Sequence, residues 1–188
     1  MTGVVTGDAA ARGAAVLEAI RTRRVVREMT SEPVDRAAIE TVLDAARWAP
    51  TAGNRHLQRF VVTDDAALLR VLRAVSPGML LRPAAVVTIC TDRALAAAYG
   101  FPADATGPSV DVGTAMATML LAAHAIGLGA GPVSSFSRTA VAEVLRLPGS
   151  WRPEIVVCLG HPGPGALRPM SGVPGLTWRD LTTWVRSR

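Results

Sequence analysis

The chain has 188 residues and a mass of 19.6 kDa, which suits one domain with a sizeable core, so we expect a single domain over residues 1–188. Hydrophobic residues make up 49% and charged residues 19% of the sequence, which excludes a disordered chain and requires apolar surface to be buried within or between subunits. The net charge is +5 and the sequence contains no lysine, which excludes a lysine Schiff base, a pyridoxal phosphate linkage and a Walker-type loop.

Hydrophobic spacing and turn residues predict the elements of the first half of the chain. The chain begins with a flexible extension over residues 1–12 and a helix over 13–24 that runs into a basic loop. A second helix follows, which Asp35 caps and Pro50 ends. After it come a strand over 59–63, a helix over 65–75 capped by Asp65, and a buried strand over 84–90.

The second half begins with a loop over residues 99–108 and a long helix over 109–126 that is apolar nearly all round. The turn Gly-Leu-Gly-Ala-Gly-Pro at 127–132 is expected to lead into a loop. A helix over 137–147, a strand over 154–159, an irregular tail and a short helix over 177–186 follow. Strands interspersed with helices, without an internal repeat, indicate an α+β domain. Because one sheet covers only one side of a helix, a partner subunit is expected to bury part of this apolar helix.

Standard catalytic patterns are missing from the sequence. Cys90 and Cys158 lie within apolar runs and are expected to be buried, reduced thiols, which favours a cytoplasmic location. The histidines lack metal-ligand spacing, so no metal is predicted, and no Gly-x-Ser-x-Gly motif occurs. A chain poor in its own nucleophiles and acids suggests a bound organic cofactor.

The basic charge does not predict a nucleic-acid partner. Aromatic residues make up only 4% of the chain, and no zinc-finger or RNP-like pattern is present. A pocket for a small anion explains the charge equally well. No apolar stretch reaches about 18 residues, so no membrane association is expected either.

Two segments carry the strongest chemical signal. Arg21, Arg23, Arg24 and Arg27 form a basic cluster that either binds a phosphate or is a solvated charged face. The sequence Ala-Pro-Thr-Ala-Gly-Asn at 49–54 either presents polar groups to a planar heterocycle or forms an ordinary turn.

Together these segments resemble the nitroreductase-like family of flavin enzymes. Residues 23–29 (Arg-Arg-Val-Val-Arg-Glu-Met) stand where that family has Arg-Arg-Ser-x-Arg-x-Phe. Residues 49–60 match its Ala-Pro-Ser-Ala-x-Asn-x-Gln-Pro-Trp-x-Phe pattern in spacing, with His56, Leu57 and Gln58 as departures. The apolar helix with its Gly-Leu-Gly turn, Leu-Pro at 147–148 and Leu-Gly-His-Pro at 159–162 extend the resemblance, which covers residues 21–169.

The resemblance implies a central mixed, mostly antiparallel sheet flanked by helices, and noncovalent FMN at a homodimer interface that contains the long helix. FMN reduced by NAD(P)H would pass electrons to a nitroaromatic, quinone, enone or similar small acceptor. No catalytic side chain is implied, because the chemistry belongs to flavin N5 near the backbone of Ser134 and Ser135. The implied FMN contacts are Arg23, Arg24, Val25, Arg27 and Arg168 on the phosphate side, Pro50, Thr51, Gly53, Asn54 and His56 in the loop on the pyrimidine side, and Pro132, Val133, Ser134 and Ser135 near the central ring.

Two alternatives remain at this point. Some relatives of the family are flavin oxidases or dehydrogenases of biosynthetic pathways that do not use a nicotinamide. The second alternative is a protein of another class, either a noncatalytic FMN-binding protein or a basic RNA-binding protein.

Overall fold

A computed structural model describes residues 7–165 and 177–185 of the chain. Within them, one sheet contains β1 (Gln58–Thr63), β2 (Ala85–Asp92), β3 (Gly129–Val133) and β4 (Trp151–Gly160). The helices are α1 (Gly7–Thr22), α2 (Arg36–Arg47), α3 (Ala66–Ala74), α4 (Arg93–Ala98), α5 (Gly107–Ala125) and α6 (Arg138–Val144), with short 3₁₀ helices at Ala52–Asn54 and Trp178–Leu181.

The sheet has the strand order β1-β2-β4-β3, and each neighbouring pair is antiparallel. This confirms the α+β class and the antiparallel character of the sheet, although the described strands include no parallel pair. The central strand β2 is buried along nearly its whole length because helices cover both faces of the sheet.

The two faces of the sheet carry two separate apolar clusters. Val87 and Ile89 of β2 pack with α2 and α5 on one face, and Val86 packs with residues of α3 and α6 on the other. Met119 of α5 is fully buried in the first cluster. The sheet and α2 therefore cover much more of α5 than its all-round apolarity suggested. The exposed large apolar side chains are Val110, near the start of the helix, and Ile126, directly after its end.

The largest difference from the predicted elements is strand β3, which occupies most of the segment 127–132 that was expected to form a turn. Glycine and proline are poor strand formers. Proline is tolerated in β3 because β3 is an edge strand, where the N–H group that proline lacks is not needed for a hydrogen bond to a neighbouring strand. Gly129 is required by close packing, since a Cβ there would lie 2.7 Å from Cγ1 of Val26.

Other differences are local. Helix α1 begins at Gly7, six residues before the predicted start of the helix at residue 13. Helix α4 was not predicted; Asp92 caps it by accepting a hydrogen bond from the N–H of Leu95. Asp35 occupies the N-cap position of α2, but its side chain makes no capping bond. The short helix expected at 177–186 is a single 3₁₀ turn. No helix in the described part of the chain is long and apolar enough to cross a membrane.

Candidate functional site

The arginine segment, residues 23–29, lies along the free edge of β3. The N–H of Val26 donates to the carbonyl oxygen of Ala130 at 3.0 Å, and the Val26 side chain is buried. Further along, the N–H of Gly163 donates to the carbonyl of Glu28 at 2.9 Å. These bonds fix the backbone of the segment while Arg24 and Arg27 remain exposed.

The glycines of β3 permit this close approach. A Cβ at Gly131 would lie 2.8 Å from the carbonyl oxygen of Val26, closer than real Cβ contacts come. Alanine at Gly131 would therefore push the arginine segment away from the strand. The family resemblance places both segments in one site, but no local pattern in the sequence indicates this contact between them.

The four arginines of the basic cluster have no carboxylate within ion-pair distance in the part of the chain that the structure describes. No salt bridge involves Arg21, Arg23, Arg24 or Arg27 within the described residues. Arg24 donates from Nη1 to the carbonyls of Arg21 and Arg23, at 2.6 and 3.0 Å. Nη1 of Arg23 is buried and has no hydrogen-bond partner among those residues. A buried, unpaired guanidinium nitrogen is strongly unfavourable by itself, so this segment suits an anion that supplies the missing acceptor.

Pro132 and Val133 are the last two residues of β3, and Ser134 and Ser135 follow them in the loop after the strand. Val133 is buried, and both serines are exposed. The carbonyl of Ser135 accepts a hydrogen bond from the N–H of Gly78 at 2.9 Å. A Cβ at Gly78 would lie 2.9 Å from Cβ of Ser135, so the two backbones are in close contact. The turn around Gly78, which sequence analysis did not single out, thereby supports the serine loop.

The loop of residues 50–56 has a special backbone conformation. Gly53, Asn54 and His56 have φ values of 59°, 54° and 50°, in the left-handed region. The side chains of Asn54 and His56 are exposed, and Nε2 of His56 lies 2.9 Å from Oδ1 of Asn54. The N–H of His56 also donates to Oγ1 of Thr51 at 3.3 Å. The loop therefore presents an amide, an imidazole and a hydroxyl together.

Asp111 of α5 anchors this loop, and sequence analysis did not identify it. Its Oδ1 accepts a hydrogen bond from the N–H of Ala52 at 2.9 Å, and its side chain is 4% exposed. Oγ1 of Thr114, one turn further along, donates to the carbonyl of Pro50 at 3.0 Å. The signal in the sequence that indicates Asp111 is an acidic residue inside an otherwise apolar helix.

The two predicted halves of the site lie at opposite ends of α5 within one chain. Asp111 holds the 50–56 loop near the start of the helix, whereas His124, near its end, lies 3.0 Å from Thr22, which directly precedes the arginine segment. Thirteen helical residues (124 − 111) correspond to about 20 Å at a rise of about 1.5 Å per residue. The structure therefore brings the arginine segment and β3 together but leaves the 50–56 loop apart. Arg168 lies outside the described residues.

The thiols do not contribute a nucleophile. Burial raises the pKa of Cys90 to about 12, with a smaller effect of the Glu154 charge, and burial alone raises the pKa of Cys158 to about 12. Both therefore remain protonated near neutral pH. Within the described residues, no group of three or more His, Cys, Asp or Glu side chains is arranged to hold a metal ion.

Comparison with known proteins decides the family. A sequence model described as "Nitroreductase family" matches residues 20–161, more than half of the chain. The chain belongs to the nitroreductase family. This confirms the resemblance seen in the sequence.

Three relatives illustrate the range of the family around this chain. A protein of Rhodopseudomonas palustris named "Putative NADH dehydrogenase/NAD(P)H nitroreductase" is 31% identical over 170 residues, or 80% of this chain and 86% of that protein. A 5,6-dimethylbenzimidazole synthase of Rhodospirillum rubrum is 30% identical over 167 residues, or 74% of this chain and 78% of the synthase. The solved structure of "a putative nitroreductase in complex with FMN" from Desulfovibrio desulfuricans has a TM-score of 0.76 and 26% identity, and the match covers 92% of this chain and 98% of that one.

Proposed function

We propose that this nitroreductase-family protein is an FMN-dependent oxidoreductase that uses NAD(P)H to reduce a small nitroaromatic, quinone, enone or similar acceptor. The observation that carries the proposal is the buried, unpaired Nη1 of Arg23 in a fixed arginine segment. A phosphate supplies the acceptor that this nitrogen lacks. The FMN complex of a structural neighbour at 26% identity supports FMN as the source of that phosphate.

In this proposal, Arg23, Arg24 and Arg27 hold the phosphate, and the backbone at Val25 lies beside them. Bound FMN supplies hydride chemistry at its N5 atom. The Ser134–Ser135 backbone, supported from Gly78, provides fixed polar groups beside the ring. Asn54, Thr51 and Gly53 provide hydrogen-bonding groups for the pyrimidine edge. The chain thus contributes position and electrostatics, and its side chains need not react.

The separation of the two halves along α5 supports a homodimer. If two copies pack α5 antiparallel about a two-fold axis, the 50–56 loop of one copy meets the arginine segment of the other. Helix α1 carries three exposed apolar side chains for such an interface: Val16, Leu17 and Ile20 are 60%, 52% and 52% exposed. We therefore place FMN between two subunits.

Removing one phosphate-binding arginine tests the cofactor assignment. Arg23→Ala or Arg27→Ala should weaken FMN binding by about ten- to a hundredfold, since each deletes a charge-assisted hydrogen bond of about 1.5 to 3 kcal/mol. Riboflavin, which lacks the phosphate, should bind parent and variants alike. Titration of apoprotein with both flavins measures this, and Arg70→Ala on α3 is a control for general loss of charge. If the variants discriminate the two flavins as well as the parent does, these arginines do not bind phosphate.

A nicotinamide-independent flavin oxidase or dehydrogenase is the second candidate, because one relative is named as a biosynthetic synthase. Anaerobic addition of NADH or NADPH to the FMN-loaded protein separates the two candidates. Rapid loss of the flavin absorbance is expected for the leading proposal. Flavin that stays oxidised with both nucleotides would support the second candidate.

A further inference from the structure

A cavity of about 380 Å³ opens at one end of the sheet, between α4, the start of α5 and the start of β4. This volume falls in the range of small-molecule sites, roughly 300 to 1,000 Å³. Its walls are mostly small apolar residues of α4 and of the segment that joins α4 to α5. These include Ala94, Ala96, Ala97, Phe101, Pro102 and Ala105.

One wall of the cavity contains an unsatisfied hydroxyl. Thr91 of β2 is 5% exposed, and its Oγ1 has no hydrogen-bond partner among the described residues. An unmade hydrogen bond at a buried hydroxyl is destabilising, whereas valine would fill the same space without it. A ligand with a polar group at this point would satisfy Thr91.

A fixed guanidinium lies beside that hydroxyl. Thr91 and Arg152 are direct partners across β2 and β4, which places both side chains on one face of the sheet. Arg152 binds Glu154 through two bonds, Nε to Oε1 at 2.6 Å and Nη2 to Oε2 at 3.1 Å. Glu154 is the extra residue at an irregularity of the β2–β4 register, which brings it next to Arg152. Nη1 of Arg152 keeps its hydrogen-bonding capacity because none of the described groups binds it.

The charges around the cavity favour an anion. Arg138 lies 3.7 Å from Oε2 of Glu154, so two arginines already balance this one carboxylate. Arg93 also lines the cavity, and its guanidinium forms no ion pair within the described residues. Among the residues that line the cavity, two arginines, Arg93 and Arg152, stand against one carboxylate, Glu154, which leaves a net positive charge beside apolar walls. An apolar molecule with a carboxylate group matches this combination.

The cavity is separate from the proposed flavin site. No residue of the 50–56 loop lines it. Phe101 lines it, and Gly107 lies between Phe101 and Ala52: a Cβ at Gly107 would be 3.5 Å from each side chain. The segment between α4 and α5 therefore stands between the two sites.

We propose that this cavity is a second ligand site that binds a small organic monocarboxylate. The apolar body lies against α4 and Phe101, and the carboxylate accepts hydrogen bonds from Oγ1 of Thr91 and Nη1 of Arg152, with Arg93 adding attraction. The site does not depend on FMN, so the proposal of a second ligand site can be tested separately from the proposed oxidoreductase function.

Calorimetric titration of the full chain, saturated with FMN, tests the proposal with benzoate as the probe and uncharged benzamide as its matched control. One benzoate should bind per chain, at least about tenfold more tightly than benzamide, because the amide lacks the charge that the arginines attract. The flavin absorbance spectrum should not change. Absence of benzoate binding, or equal binding of benzamide, would overturn the proposal.

Variants locate the bound probe. Ala97→Phe fills the cavity and should abolish binding, whereas Ala98→Phe, on the same helix but not lining the cavity, should leave it unchanged. Thr91→Val should weaken benzoate binding by about threefold to tenfold while the thermal midpoint stays the same or rises. Arg93→Gln should weaken it by about tenfold. Unchanged benzoate binding in Ala97→Phe would show that benzoate binds elsewhere. Unchanged binding in Thr91→Val would show that the hydroxyl does not contact the ligand. Either result contradicts the assigned site.

Discussion

At the scale of single residues, the two cysteines connect burial with stability at high pH. Cys90 and Cys158 lie in adjacent central strands, and burial raises both pKa values from 9.0 to about 12. A pKa that is higher in the folded state means that the contribution to stability is complete below pH 9 and is lost as pH rises toward about 12. The sequence has no lysine and one tyrosine, so few other side chains titrate in this window.

We therefore expect the free energy of unfolding to fall between pH 9 and 11 by up to about 1.4 kcal/mol per pH unit for each thiol. Urea unfolding under reducing conditions at several pH values measures this slope. The variant with Cys90→Ala and Cys158→Ala, although less stable overall, should have a much shallower slope. Equal slopes in parent and variant would mean that the thiols are accessible to water, and a thiol reagent would then also label the native protein at pH 8.

The residues of the candidate site differ in how far the sequence could predict them. Arg23, Arg27 and Asn54 stand in local patterns of charge and turn residues, so the sequence marks them directly, and their roles stay predictions. Asp111 and Gly78 act through contacts with segments far away in the chain. The partner of Asp111 is the backbone of Ala52, 59 residues earlier. No local pattern contains such a contact, because it forms only when α5 packs beside the loop.

At the scale of elements, two aspartates at helix starts make a matched pair. Asp65 accepts hydrogen bonds from the N–H groups of Ala67 and Leu68, at 2.9 and 2.8 Å. Asp35 holds the same position at α2 without such a bond. Asp65→Ala should therefore lower the free energy of unfolding by about 1 kcal/mol, the usual effect of losing a cap, whereas Asp35→Ala should lower it by much less.

Chemical denaturation of both variants measures the difference. Losses of equal size would show that the negative charge at the N-cap position, which both aspartates carry, matters more than the hydrogen bonds that only Asp65 makes. The sequence marks both aspartates as caps because the residue type and position are the same. Only the backbone and side-chain geometry at each helix start separates them.

Tertiary packing also explains which elements the sequence predicted well. Helices α2, α3 and α5 and strands β1, β2 and β4 have regular apolar patterns, and the structure confirms them with small shifts at their ends. Strand β3 has no such pattern, since Gly129, Gly131 and Pro132 disfavour strands. Its hydrogen bonds to β4 and its contact with Val26 form it instead. A regular apolar pattern is a local property of the sequence and can be recognised there. The edge strand β3 forms only through contacts with its neighbours, so the sequence does not indicate it.

At the scale of the whole molecule, the position of the two half-sites at opposite ends of α5 predicts complementation between subunits. One variant, Arg23→Ala with Arg27→Ala, lacks the phosphate side, and another, Asn54→Ala, lacks an amide of the loop. In a two-fold dimer with shared sites, a heterodimer of these variants has one site with both halves intact and one site with both halves altered.

Subunits of the two variants, mixed in equal amounts and allowed to exchange, should form about half heterodimers, so about one quarter of all sites would be intact. At an FMN concentration that fills the parent but neither variant, bound flavin per chain should therefore approach about a quarter of the parent value. Ultrafiltration and flavin absorbance measure it, and the unmixed variants are the controls. The same exchange with Ile20→Glu added to both chains should restore nothing, because a charge on the exposed apolar face of α1 opposes the interface on which the shared site depends. A mixture that binds only the average of the two variants would show that each chain holds a complete FMN site by itself.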